Sequence, residues 1–291
     1  MSIIELHEVT KTFGKKTALD SVSLSINAGE IFGFLGPNGA GKSTAIRSIM
    51  GFIYPDSGEI RVKDLIVDRD NSSYRKFIGY VPSDLQLNLN WTGDEHISFV
   101  KDALGLKDSM LKEIGKLSLE TDEKVKNLST GNKQKLSFLL ALMARPEILI
   151  LDEPTKGLDP ILQEVFYEML FEFRNEGGCV FFSSHNLPEV ERLCDRIAII
   201  RSGKIVANET MDSLHQKNVH VVKILLNGKD KIENPSTLGE VISISERTLQ
   251  LRIEGEIQPF IEKVASLKFA DLTIEHANLE DVFMHFYEES K

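Results

Sequence analysis

Residues 36–44 read GPNGAGKST. This fits G-x-x-x-x-G-K-[ST], behind the short apolar run IFGFL and ahead of a helical pattern. In that context the spacing has a physical purpose. The glycines let the backbone wrap tightly enough for several N–H groups to face inward, and the following helix N-terminus adds its positive end. Gly36, Asn38, Gly39, Ala40, Gly41, Lys42, Ser43 and Thr44 are therefore the expected nucleotide-binding residues. Lys42 would put a charge near the β- and γ-phosphates, and the Ser43 hydroxyl would ligate Mg²⁺. The plain alternative is a glycine turn without a ligand.

Base choice follows from what is missing. Guanine is read by N-K-x-D, and the nearest string, Asn132-Lys133-Gln134-Lys135, lacks the acid. ATP held by stacking is the expected ligand. Phe13 offers a ring face for it, unless it is an ordinary core residue.

A second group of chemical residues follows. Residues 148–153, ILILDE, are four apolar residues and then two acids. A buried strand with carboxylates at its C-terminal end puts them where open α/β sheets bind ligands. Asp152 can hold Mg²⁺, and Glu153 can orient or deprotonate an attacking water. CVFFSSH ends a further apolar run at His185 in the same way. That imidazole is either a satisfied surface histidine or a hydrogen-bonding partner of the γ-phosphate. Lastly, LSTGN at 128–132 heads the amphipathic run KQKLSFLLALMA. Ser129 there either caps its own helix or stands among free donors facing an anion.

These residues need elements to hold them. Residues 1–82 read as short strands around a glycine turn and one helix, with IELHEVT and VSLSI alternating as half-buried strands do. Residues 83–145 lose that pattern. Thr92-Gly93-Asp94-Glu95 is a capping box opening a helix with Ile97 and Val100 on one face. Leu136, Leu139, Leu140 and Met143 recur at helical spacing. Residues 146–214 return to α/β, with a hairpin at Ser202-Gly203. Residues 215–291 read as a small added domain: TLQLRIEG a strand, IQPFIEKVASL a helix, NLEDVFMHFYEE a second helix capped by Asn278.

Composition sets limits. The 291 residues carry a net charge of −10 without a basic stripe, which argues against nucleic acid as a partner. Cys179 and Cys194 have neither metal-site nor disulfide-framework spacing, and a reducing cytoplasm is expected. No signal peptide is read at the N-terminus, and no apolar run reaches the ~18–20 residues needed to cross a bilayer.

Taken in order, GPNGAGKST, LSTGN, LILDEP, KGLDP and SSH resemble the nucleotide-binding subunit of an ATP-binding cassette (ABC) transporter, nearest to bacterial exporters of the ABC-2 type. Those also carry an extension ending much like NLEDVFMHFY. The resemblance implies an α/β fold: a P-loop NTPase, RecA-like core with an inserted helical subdomain at about 83–145, and a small α+β extension. The ATPase domain would be 1–214 and the accessory domain 215–291. It implies two subunits facing head to tail, either two copies of this chain or one with a sister subunit. Ser129 and Gly131 of each would then bind the γ-phosphate held by the other, and Asp159 would contact the opposite phosphate loop.

Glu153, His185 and Lys42 would carry hydrolysis, and a transmembrane permease would turn it into export from the cytoplasmic face of the membrane. Two departures stand out. Thr130 and Asn132 replace residues of the commoner LSGGQ, leaving the serine and the second glycine in place. At YVPSD the usual metal-ligating Gln is Ser83, which leaves that metal role open; its hydroxyl can reach a metal-bound water, and Gln86 follows three positions on. The next segment, LQLNLNWTGDEHISF, is the expected permease-docking surface, with Trp91 an anchor or a subdomain core residue. The extension would strengthen dimerisation or be passive. The competing readings are a soluble ABC-fold ATPase working on a cytoplasmic macromolecule, or an unrelated P-loop kinase or regulatory ATPase.

Overall fold

The computed structural model describes residues 2–106, 111–216, 219–227, 234–265 and 267–276. It divides into two compact units, 1–208 and 209–291. The first opens with β1 (Ser2–Phe13), β2 (Lys16–Asn27), β3 (Ile31–Leu35), α1 (Lys42–Ile49), β4 (Ser57–Val62), β5 (Leu65–Ile66) and β6 (Ile78–Val81). Helices α2 (Gly93–Leu104), α3 (Leu111–Lys116) and α4 (Thr130–Met143) follow. The chain then returns to β7 (Ile148–Asp152), α5 (Pro160–Asn175), β8 (Cys179–Ser184), α6 (Leu187–Leu193), β9 (Arg196–Arg201) and β10 (Lys204–Thr210).

Two sheets result. The first is antiparallel, in the order β2-β1-β4-β5. Its strands β1 and β2 run twelve residues each, longer than the alternating stretches alone indicate. Register shifts and the positive φ of Glu8 (48°) and Ser21 (51°) mark bulges that let such long strands bend without losing their pairing. The second sheet has the order β10-β9-β3-β8-β7-β6. Pairing is parallel from β9 through β3, β8 and β7 to β6. Every residue of β3, β7 and β8 is buried. Strands covered on both faces need continuous apolar runs, which is why IFGFL, ILIL and CVFF do not alternate. The turn Ser202-Gly203 has positive φ at both residues (48° and 83°), the form that folds β10 back along β9.

The core lies between the sheets. Leu6, Ile26, Phe34, Ile46, Tyr74 and Phe181 are among its buried side chains. The Phe181 ring lies 6.0 Å from Phe32 and 5.3 Å from Phe34. Because β3, β8 and β7 are neighbours, the three chemistry-bearing loops leave one edge of the sheet side by side.

In the helical region, Thr92 and Glu95 form the reciprocal capping box, with N···O distances of 2.7 and 3.1 Å. Helix α4 departs from the amphipathic expectation. Gln134, Lys135 and Ser137 are buried along with Leu136, Phe138 and Leu139, so nearly its whole circumference is covered. Lys135 reaches its burial by donating from Nζ to Ser118 O at 3.4 Å, the snorkelling expected of a long basic stem.

The second unit holds α7 (Met211–Gln216), β11 (Val219–Leu226), β12 (Glu240–Ile244), β13 (Thr248–Glu254), α8 (Gln258–Val264) and β14 (Phe269–His276). Its antiparallel sheet has the order β12-β13-β11-β14. Val222, Ile224, Leu249 and Leu251 form its core with Phe260 and Val264 of α8. TLQLRIEG is β13, and α8 lies within IQPFIEKVASL. The helix expected after Asn278 falls outside the described residues.

Candidate nucleotide site

The phosphate loop leaves β3 and closes on α1 without a side-chain cap. Its glycines are fixed by contact as much as by conformation. Gly41 has φ 122°, and a β-carbon there would sit 2.5 Å from Ala18 O. One on Gly36 would lie 2.4 Å from Ile200 O. The loop is thus threaded between β2 and β9, and Gly203 N–H donates to Ala40 O at 2.9 Å.

Lys42, Ser43, Asp152 and Glu153 converge beneath it. Lys42 Nζ donates to Gly36 O at 2.5 Å and lies 4.0 Å from Glu153 Oε1. Burial pulls the Lys42 ammonium below its ordinary range, and the charges of Glu153 and Asp152 partly oppose this. Ser43 Oγ donates to Asp152 Oδ2 at 3.1 Å. Ser183 Oγ donates to Asp152 Oδ1 at 2.5 Å. Burial, then the Asp152 charge, pushes the Tyr80 phenol up to about 12.

Glu153 is the first residue past β7, with φ 52°. That left-handed conformation costs a non-glycine residue roughly 1–2 kcal/mol. Its N–H is held by Ser183 O at 3.1 Å and Ser183 Oγ at 3.2 Å. Its carboxylate accepts a 3.1 Å hydrogen bond from His185 Nδ1, assigning that nitrogen the proton. His185 itself stays 59% exposed, beyond the end of β8.

Of these groups Lys42, Ser43 and Glu153 border a cleft of about 230 Å³, lined also by Phe13, Lys16 and Ala18 among others, while Asp152 is hydrogen-bonded to Ser43 behind its wall and His185 lies outside its lining. Phe13 is 49% exposed at its mouth rather than in the core. Lys16, Ala18 and Ser183 were not singled out by the sequence. Of these, only Ser183 carried a signal, standing two residues before His185 in the Ser-Ser pair that closes β8.

Other expected residues lie elsewhere. Ser129 is exposed at the head of α4, where its Oγ accepts from Asn132 N–H at 3.2 Å. Asp159 caps α5, accepting from Leu162 N–H at 3.0 Å. None of Ser129, Gly131, Asp159 and the exposed Ser83 lines the cleft. Yet the 129–131 turn and the 157–159 loop touch each other. A β-carbon on Gly131 would meet Gly157 O at 3.1 Å, and one on Gly157 would meet Thr130 Cγ2 at 2.9 Å. Trp91 is half-buried, with ring centroids 5.2 Å from His96 and 5.4 Å from Phe99.

Comparison with known proteins agrees with this geometry. The ABC transporter family model matches residues 19–156. The linearmycin resistance ATP-binding protein of Bacillus subtilis is 32% identical over 95% of this chain and 92% of its own. A Nod factor export ATP-binding protein of Rhizobium etli is 32% identical over 98% and 93%. Among solved structures, an ATP-binding subunit of an ABC transporter superposes with TM-score 0.69 at 28% identity, covering 74% of this chain and 92% of that one. A dimeric bacterial ABC transporter cassette does so at 0.64 and 27%, covering 72% and 98%. The α/β core with its phosphate loop, the paired acids at the C-terminal end of β7 and these full-length relatives lead to one conclusion: the chain belongs to the ATP-binding, ATP-hydrolysing subunits of ABC transporters.

Proposed function

We propose that this subunit works as an ATP-clamped dimer that powers export through a separate transmembrane permease. One observation carries the dimer. The cleft is lined by the phosphate loop and Glu153, with Asp152 hydrogen-bonded to Ser43 of that loop, while the Ser129–Gly131 turn lies outside it in the same chain. A second copy, or a sister subunit, facing head to tail would bring that turn to the γ-phosphate. Ser129 Oγ and the N–H groups opening α4 would then act as donors, with the positive end of the helix behind them. Asp159, next to that turn, would meet the opposite phosphate loop.

Within each cleft, Phe13 would stack on the base and residues 36–44 would cradle the phosphates. Ser43 and Asp152 offer the hard oxygen donors that Mg²⁺ prefers, already 3.1 Å apart. Bound there with phosphate oxygens, Mg²⁺ would neutralise the charge on the phosphates; Ser83 would at most touch a metal-bound water. Lys42 would offset charge at the γ-phosphate. Glu153 would take the proton of the attacking water, and His185 would hold Glu153 and the γ-phosphate in register. Hydrolysis removes the ligand that holds the two subunits together, a population shift driven by differential affinity.

Export is supported by the relatives' names, which refer to Nod factor export and linearmycin resistance. Among the described residues no helix is long and apolar enough to cross a membrane. The subunit would sit on the cytoplasmic face of the membrane through its permease. The exposed Leu89 and Phe99 beside Trp91 supply apolar surface for that contact. A tagged chain drawn from its own cells in gentle detergent should bring a polytopic membrane protein with it. Recovery of soluble partners alone, with ATP bound, would contradict the transport assignment.

A further inference from the structure

A buried carboxylate lies directly behind His185. Glu189 on α6 is 5% exposed, and both its oxygens accept from neutral hydroxyls. Tyr167 of α5 donates to Oε1 at 3.1 Å, and Ser184 at the end of β8 donates to Oε2 at 2.8 Å. The Ser184 oxygen in turn accepts from Asn186 N–H at 3.0 Å. Ser184 and Tyr167 are 3% and 4% exposed. Burial and then the Glu189 charge push the Tyr167 phenol well above its usual range, so it remains a donor.

This arrangement costs desolvation that an apolar residue at 189 would avoid. What it provides is a clamp on residues 184–186. His185 sits in the middle of that turn with its imidazole largely in solvent, so packing does little to aim it. Its direction is set by its hydrogen bond to Glu153 and by the backbone on either side, and the Ser184 hydroxyl ties those sides together. Glu153, Ser184, His185, Asn186 and Glu189 line a second cleft of about 240 Å³, so the clamp and the acid share one wall.

We infer that Glu189 is a positioning residue for His185: through Ser184 it fixes the turn that aims the imidazole at Glu153 and the γ-phosphate. The inference rests on the reading of His185 given above. Glu189 does not line the nucleotide cleft, and its carboxylate is engaged by Tyr167 and Ser184, so its effect on the reaction would pass through the turn that carries His185.

The test is a double-mutant cycle on the purified full chain, read as steady-state ATPase kcat and KM. Glu189→Ala should lower kcat about 10- to 100-fold while KM for ATP stays within about twofold, as expected when orientation rather than binding is lost. In a His185→Ala background the same substitution should add almost no further loss. Glu189→Gln, which keeps one oxygen acceptor, should recover most of the rate. If Glu189→Ala does not fold, Ser184→Ala takes its place in the cycle. Equal losses in both backgrounds, or a wild-type kcat for Glu189→Ala, would overturn the inference while leaving the role of His185 intact. A wild-type kcat for His185→Ala would instead remove the reading on which it rests.

Discussion

At the residue scale the site is a set of charges held close together in a part-buried cleft. Lys42 shows the consequence. Its folded pKa is lowered by burial, so between that value and the ordinary lysine value the unfolded chain binds more protons than the native one. Through this group, the nucleotide-free protein gains stability as pH rises across that window. ATP affinity should move the other way. It should begin to fall below pH 10.5 as the ammonium is lost, and Lys42→Met should abolish that portion of the pH dependence in a titration of Kd. Phe13→Ala should raise the KM for ATP about 3- to 10-fold with little change in kcat, since stacking holds the base in ground and transition states alike. The motif residues were legible because phosphate and metal chemistry restrict residue type at fixed spacing. Ser183, Lys16 and Ala18 were not, because their place in the site comes from which strands lie side by side.

At the element scale, local chemistry and tertiary context divide the outcome. The capping box at Thr92 was readable because both of its bonds lie within four residues. Thr92→Ala should destabilise the chain by about 1 kcal/mol in urea denaturation and leave kcat nearly unchanged. The buried strands were readable from their unbroken apolar runs. The full length of β1 and β2 was not, since bulges keep strands paired across residues that break alternation. Nor was the burial of α4, whose polar Gln134 and Lys135 are enclosed by neighbours distant in sequence. The contact between the 129–131 turn and the 157–159 loop is of the same non-local kind. Gly157 has φ 83° and lies against Thr130. Gly157→Ala should cost about 1–2 kcal/mol of stability and displace that turn. Light scattering should then show weaker ATP-dependent association, while KM for the cleft's own nucleotide changes little.

At the scale of the whole molecule, each unit has its own apolar core. A chain ending near residue 214 should therefore still bind ATP, but associate more weakly than the full chain if the second unit reinforces the dimer. Equal association and equal ATPase activity in the two would make that unit a passive extension. In the dimer, one chain completes the site of the other. Glu153→Gln keeps the size and an oxygen of the side chain but removes the base, so ATP should persist and hold two subunits together; kcat should fall about 10²- to 10⁴-fold. The direct measurement is the solution mass of this variant by light scattering, with and without ATP. The expected result is the mass of one chain without nucleotide and of two with it. The mass of one chain in both conditions, with ATP binding verified, would contradict the shared site.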